Sequence, residues 1–308
     1  MSVDPQDLLV LRAVVTTGRF TGAAEALSLN HTTVSRRIQT LERALGGRVL
    51  SRAAGGWEPT ELGRRALRAA DGISEALDAL AAEGTDPSAR ARPRLTGVVR
   101  MSATDGYSAL VAAPAVAALQ RDHPELQVEI VTVTRRALQQ RSGLDIEVVV
   151  GRPQVHRAEA VLLGEYVLGM YASAEYLAEH GAPGSRDELV SHPLVYFIDS
   201  MLQVDDLDAP RRLVPGMRDS LTSTNVFVHV EATRAGAGIG FLPCFVADRH
   251  PDLVRVLPEE IAEVLPYWMV LRPDSLDRPA VAAVVAALRE RTASMADALS
   301  GIQDGTSG

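Results

Sequence analysis

The chain has no lysine. All 31 of its basic residues are arginine, and with so much alanine beside them this fits a coding bias better than a function. It has one cysteine, Cys244, which excludes an intramolecular disulfide framework and fits a reducing compartment. Cys244 reads as a small buried hydrophobe, and a redox role would lack an intramolecular resolving partner. No apolar run reaches the roughly 20 residues needed to span a bilayer. The start, "MSVDPQDLLVLRAV", has no basic segment ahead of its apolar stretch and is not expected to be a signal peptide. The expectation is a soluble cytoplasmic protein without membrane contact. HExxH, Walker, GxSxG and GxGxxG motifs are all missing, as is any metal-spaced Cys/His cluster. The seven histidines (31, 123, 156, 180, 192, 229 and 250) are scattered. No catalytic residue, cofactor or metal is therefore expected.

What is present is an ordinary globular composition, 46% hydrophobic and 23% charged, over 308 residues, enough for two or more domains. The charge is unevenly spread. Residues 1 to 66 carry nine arginines against six acids, a net of +3, so the remainder holds about −11 of the total −8. A basic head on an acidic body suggests that only the head meets a polyanion.

The head opens with apolar residues at 8, 9, 11, 14 and 15, a helical period ended by Gly18. Thr21 is placed to cap a second helix, "GAAEALSL". A turn at 28–30 leads to a third helix from about His31 to Leu45, with Val34, Ile38, Leu41 and Leu45 on one stripe. Gly46 and Gly47 end it. The opposite face carries His31, Thr32, Ser35, Arg36 and Gln39. Two helices across a tight turn, the second rich in short polar groups, have the geometry of a helix-turn-helix, whose second helix fits the major groove. The alternative is a plain three-helix packing motif with a solvated arginine face. "RVLSRAAGGWEPTELGRRAL" then reads as a strand, a glycine-rich turn and a return strand ending at Thr60, a two-stranded wing.

Through "AAEALSLNHTTVSRRIQTLERALGGRVLSR" and "PTELG" the chain resembles the LysR-type transcriptional regulators. The resemblance implies an N-terminal all-α winged helix-turn-helix whose third helix reads bases in double-stranded DNA. By position it implies phosphate contacts from Thr21, Ser35, Arg52 and Thr60, and base contacts from Asn30, His31, Thr32 and Arg36. Thr33 and Arg37 complete the expected DNA-binding set. Two departures stand out. His31 and Thr32 replace the family's usual glutamine and proline, which leaves the operator sequence open. Ser51 replaces a usual phenylalanine, which suggests altered packing under the wing.

Leu62, Ala66, Ala69, Ile73, Ala76 and Leu80 step by four and three alternately along residues 61–82. They form a heptad seam on a long linker helix of about 33 Å. The resemblance implies that this helix pairs two chains, so a homodimer or homotetramer is expected. The alternative is an amphipathic helix lying on its own domain. Residues 84–95, "GTDPSARARPRL", read as a linker.

From Leu95 strands and helices alternate, which predicts a parallel sheet. "GLDIEVVVG" and "ATRAGAGIGFLP" resemble the family's C-terminal α/β effector domain, which is periplasmic-binding-protein-like and has two subdomains. The chain is expected to cross between them near residue 165 and return near 268. Ligands in open α/β sheets sit beyond the carboxyl ends of strands. That points to Ser102, Ala103, Thr104, Gly151 and Arg152 on one side, and to Phe197, Asp199, Thr224 and Asn225 on the other. Ser102, Thr104, Thr224 and helix N-terminal amides would suit a carboxylate effector, and Asp105 counts against one unless it points away. Each of these residues alone could equally be a helix cap.

The expected organisation is a winged helix-turn-helix at 1–61, a dimerisation helix at 62–83, a hinge linker at 84–95 and an effector-binding domain at 96–300. Subdomain I is expected at about 96–165 and 269–300, and subdomain II at about 166–268. The functional expectation is a DNA-binding regulator that senses a small molecule. The alternatives are a regulator whose body binds nothing and acts by constant occupancy, and a solute-binding or catalytic α/β protein with a helical head that does not bind DNA.

Overall fold

The computed structural model describes residues 3–53, 56–67, 69–70, 73, 94–133, 144–153, 158–199, 207, 209–271 and 275–301. Most of the linker at 84–95, and Ala76 and Leu80 of the seam, lie outside these residues.

The head is built from α1 (Pro5–Thr17), α2 (Phe20–Ala26), α3 (His31–Leu45), β1 (Leu50–Ala53) and β2 (Gly56–Pro59). Asp4 caps α1 through its carboxylate, Pro5 opens the helix, and Gly18 closes it in the left-handed region at φ 68°. Leu8, Leu11 and Val14 of α1 meet Ala23 and Ala24 of α2 and Val34, Ile38 and Leu41 of α3 in one buried cluster. The alanines let the helices approach closely. Helix α2 starts two residues earlier than the cap at Thr21 would require. Arg19 is the extended N-cap residue, without a capping side chain, and Thr21 sits inside the first turn, exposed. Just before α2, the Thr17 hydroxyl lies 2.8 Å from the Ala13 carbonyl and 2.9 Å from the Arg19 carbonyl, sharing its proton between them.

The wing is an antiparallel hairpin pairing Leu50 with Pro59 and Arg52 with Trp57. It is the two-stranded wing expected of the head. It is tied back by the Trp57 amide, which donates to the carbonyl of Gly18 at 3.1 Å. A Cβ at Gly56 would lie 2.5 Å from that same carbonyl oxygen, so only glycine permits the approach. Ser51 is exposed on β1, with its hydroxyl 3.4 Å from the Glu58 carbonyl. The substitution there therefore falls on the surface of the wing and leaves the packing beneath it untouched. That packing is supplied by Trp57, set edge-on to Phe20 at 5.2 Å.

Helix α4 follows, helical at 61–67, 69–70 and 73. Thr60 braces its start: the Thr60 hydroxyl donates to the Arg48 carbonyl at 2.6 Å and accepts from the Gly63 amide at 3.1 Å. Ala66 and Ala70 are buried in the head's own core, and Leu62, Leu67 and Ile73 pack against it. This corrects the seam as drawn from the heptads. Its first turns are spent on the head, because Gly63 brings α4 so close to β1 that a Cβ there would stand 2.0 Å from the Val49 carbonyl. Of the described seam positions only Ala69 is exposed.

The body opens with β3 (Gly97–Ala103), which runs into α5 (Asp105–Tyr107), a π-turn (Ser108–Ala112) and α6 (Ala113–Asp122). The π-turn precedes Pro114, which has no N–H to give to the preceding turn. Next come β4 (Leu126–Thr132), β5 (Ile146–Val150), β6 (Glu159–Ser173), α7 (Ala174–His180) and β7 (Leu194–Phe197). They are followed by α8 (Ala209–Leu213), β8 (Asp219–Ser223), α9 (Val226–Arg234), β9 (Ile239–Pro243), α10 (Cys244–Ala247) and β10 (Leu253–Val256). Strand β11 (Ala262–Leu271) and helices α11 (Pro279–Ser294) and α12 (Ala296–Leu299) complete the described chain. The order across the sheet is β4-β3-β5-β11-β6-β9-β7-β8, with β10 on β6.

The sheet is mixed, not parallel as predicted. β3 pairs in parallel with β4 and β5, and β7 with β8 and β9. The long strands β6 and β11 run antiparallel to each other, with Glu165 opposite Pro266. Strand alternation alone cannot report this, because the direction of β6 and β11 is set by the chain passing out and back.

Candidate functional sites

Helix α3 presents its polar face outward. Asn30 caps it, its side-chain oxygen accepting from the Thr33 amide and from the Thr32 hydroxyl, each at 2.7 Å. His31, Thr32, Arg36 and Gln39 are exposed, while Val34, Ile38 and Leu41 face the core. A groove of about 500 Å³ runs between this face and the wing, lined by Arg19, His31, Ser35, Gln39, Arg48 and Arg52 among others. The acid at its floor, Glu42, accepts the Val49 amide at 3.0 Å and is committed to the backbone. The groove is thus cationic, with short polar side chains along one wall.

Several expected contact residues have other work. Arg37 points away from Arg36: it donates to Asp7 at 3.0 Å and to Gln6 at 2.8 Å, locking α3 to α1. Thr60 is the brace described above, and Asn30 and Thr33 form the cap. Thr21, His31, Ser35 and Arg52 share the groove wall. The sequence reading passed over Arg19 and Arg48. Both lie next to element starts, at the entry to α2 and to the wing, and that position is the signal that could have found them.

In the body, a second and much smaller cavity of about 30 Å³ lies between the two halves of the sheet. Thr104, Asp105, Tyr166, Phe197, Val226 and Tyr267 are among its walls. That volume holds roughly one or two waters. Aromatic rings fill the remainder. Tyr166 stacks on Tyr267 at 4.4 Å, and Tyr107 meets Tyr267 at 4.9 Å. Burial raises the Tyr267 hydroxyl above the ordinary tyrosine range and pushes Tyr107 up to about 12. These hydroxyls are therefore neutral donors at physiological pH.

Of the nine expected effector residues, Thr104 and Phe197 line this cavity. The Thr104 hydroxyl is 3.5 Å from that of Tyr267. Ser102 and Ala103 are buried strand residues of β3. Gly151 is a turn at φ 78°, its amide given to the Pro266 carbonyl at 3.0 Å. Arg152 is exposed, with its guanidinium 6.0 Å from the centre of Trp268. Asp199 pairs with Arg211 at 3.0 Å, Thr224 is exposed, and Asn225 caps α9 by accepting the Phe227 amide at 2.8 Å. The start of α9 has no first-turn amide to spare. Val226 gives its N–H to Asp105 at 3.3 Å, and Val228 gives its own to the Asn225 carbonyl at 3.1 Å. The sequence reading missed Tyr166 and Tyr267, although both flank the crossings expected near 165 and 268.

Comparison with known proteins places these features. A family model described as the bacterial regulatory helix-turn-helix protein of the lysR family matches residues 5–64. The LysR substrate binding domain matches residues 92–293, well over half of the chain. The chain belongs to the LysR-type transcriptional regulators. This is a family of regulators and not of enzymes. Among its relatives is the HTH-type transcriptional activator TtdR of Escherichia coli K12, 32% identical over 61% of this chain and 59% of TtdR. The chain thus matches less than two thirds of that relative's length. The HTH-type transcriptional regulator CrgA of Neisseria meningitidis MC58 is 26% identical over 85% of this chain and 88% of its own. The solved structure of CrgA superposes with a TM-score of 0.56, covering 94% of this chain and 99% of CrgA at 26% identity. ArgP from Mycobacterium tuberculosis shares the fold at a TM-score of 0.58 and 21% identity, covering 95% and 98% of the two chains. Among the described residues of this LysR-type chain, no helix is long and apolar enough to cross a membrane.

Proposed function

We propose that the chain is a sequence-specific, DNA-binding transcriptional regulator of the cytoplasm that acts as a homo-oligomer and answers to a small molecule held in its body. The observation that carries this reading is the outward face of α3. His31, Thr32, Arg36 and Gln39 stand exposed beside a groove whose three arginines come from three different segments. On docking, Arg19, Arg48 and Arg52 would neutralise phosphates while Arg36 and its neighbours meet base edges. Asn30 keeps its amide nitrogen for a base or phosphate, since only its oxygen is taken by the cap. A net head charge near +3 gives weak single-site binding, so pairing two heads through effective concentration is required. Ala69, Ala76 and Leu80 are the seam positions proposed to do this, beyond the turns that α4 lays on its own head.

The domain limits that go with this reading are 1–61 for the head, 62–83 for the pairing helix, 84–95 for the hinge and 96–300 for the body. The cavity between β6, β11 and α9 is the proposed effector site. A second reading, constant occupancy by a body that binds nothing, draws support from how little room that cavity has. DNA fragments recovered with the full-length chain should share a sequence. The chain should bind them at least a hundredfold tighter than random DNA at the same salt, with affinity falling as salt rises. Equal binding to both would sink the reading. Among candidate small molecules, one that raises the melting temperature of the chain and changes operator affinity separates a sensing body from an inert one.

A further inference from the structure

The chain itself bridges the two walls of this cavity. Asp105, the first residue of α5, reaches across to α9 and accepts the Val226 amide at 3.3 Å. The donor belongs to the β7–β9 half of the body and the acceptor to the β3–β5 half. This is the place where a helix start would receive an anionic ligand, combining a free N–H with the positive end of the helix dipole. The neighbouring amides of Phe227 and Val228 are already satisfied within their own turn. Close packing at the next residue reinforces the bridge. Gly106 lies so near α10 that a Cβ would stand 3.3 Å from both Phe245 Cζ and Val246 Cγ2. His229, fully buried one turn into α9, donates from Nε2 to the Ser223 carbonyl at 2.9 Å. Burial lowers its pKa, while the Ser223 carbonyl and the charge of Asp105 act in the opposite direction.

We propose that Asp105 is a tethered anion. It fills the seat at the start of α9, holds the two halves of the body together, and makes the cleft reject effectors that lead with a carboxylate. The ligand class left to the site is one with an apolar body against the tyrosines and no anionic group at the α9 end. The inference rests on reading this cleft as the effector site, and it replaces the carboxylate expected from the sequence.

The test is calorimetric melting of the full-length chain, comparing sodium acetate with sodium chloride at equal ionic strength and pH. Asp105→Ala should lower the body's transition by about 2 to 4 °C, as expected for losing one charge-assisted contact in a domain of this size. Acetate should restore at least half of that loss. Asp105→Asn, which still offers an oxygen to Val226, should melt between the two and ignore acetate, and the wild type should also ignore it. An Asp105→Ala chain that melts like the wild type overturns the proposal. So does a lowered transition that acetate does not restore, and so does an equal acetate shift in both proteins. Failure of the wild type to prefer its operator would sink the regulator reading while leaving the acetate result standing.

Discussion

The head and the body solve opposite problems with the same chemistry. In the head, α3 uses its apolar stripe for packing and leaves its polar face exposed. In the body, the polar groups at the corresponding helix starts are consumed internally: Asn225 and Asp105 between them take the amides that open α9. The difference fits the partners proposed for each, DNA for the head and a small molecule for the body. A groove for a polyanion is cheap to leave open, because arginines in water carry little desolvation cost and DNA replaces the water on docking. The cavity proposed for a small molecule has apolar walls, and left open these would expose the faces of Tyr166, Tyr267 and Phe197 to water. Contacts made across these walls by the chain itself raise the requirement on any proposed effector, which must compete with them.

The comparison can be broken most severely at Gly63. Gly63→Val would drive side-chain atoms into the Val49 carbonyl and lift α4 off the head. The head should lose about 1 to 3 kcal/mol or more, read by denaturant unfolding through Trp57 fluorescence in a Trp268→Phe background. The body's transition should stay put. A coupled shift of both transitions would show that head and body are not separate cooperative units.

A finer cut is offered by two adjacent arginines. Arg37→Ala strands Asp7, which is only 6% exposed, and should destabilise the head by roughly 2 kcal/mol once the 26% exposure of Arg37 is allowed for. Its effect on DNA should be the same for operator and random sequence. Arg36→Ala should leave head stability within about 0.5 kcal/mol. It should cost operator binding about 1 to 3 kcal/mol and relax base preference. Titrations on both DNAs, run beside the unfolding curves, check the pair, and an Arg36→Ala that weakens both DNAs equally reassigns Arg36 to phosphate.

The smallest expected effect is at Thr104. Its hydroxyl lies at the limit of hydrogen-bond distance from Tyr267, so Thr104→Val should barely move the melting temperature. With an effector in hand, the half-maximal concentration for its effect on operator binding should rise about tenfold, the consequence of roughly 1.4 kcal/mol. An unchanged midpoint takes Thr104 out of the site.

Read residue by residue, the head was far more legible than the body. Helix α3 begins at His31 and ends at Leu45, as its stripe and glycines imply, because an amphipathic helix with a side-chain cap and a glycine stop is specified by local contacts alone. The wing is equally local. What periodicity could not supply was how the pieces meet. A heptad pattern in α4 is the same whether its apolar face meets a second chain or its own head, and only the approach at Gly63 decides between them for the first turns. Arg36 and Arg37 are neighbours in sequence, and only the position of Asp7 on α1 separates a free guanidinium from a bound one. Strand ends pointed to Thr104 and Phe197, which line the body's cavity, but also to Arg152 and Asp199, whose partners Trp268 and Arg211 are supplied by other segments. Asp105 could be seen in the sequence as an obstacle to an anion. That it bonds to the first amide of α9, 121 residues away, is a fact of tertiary structure: local pattern fixes which groups a segment offers, and the packing of distant segments fixes which of them remain unsatisfied.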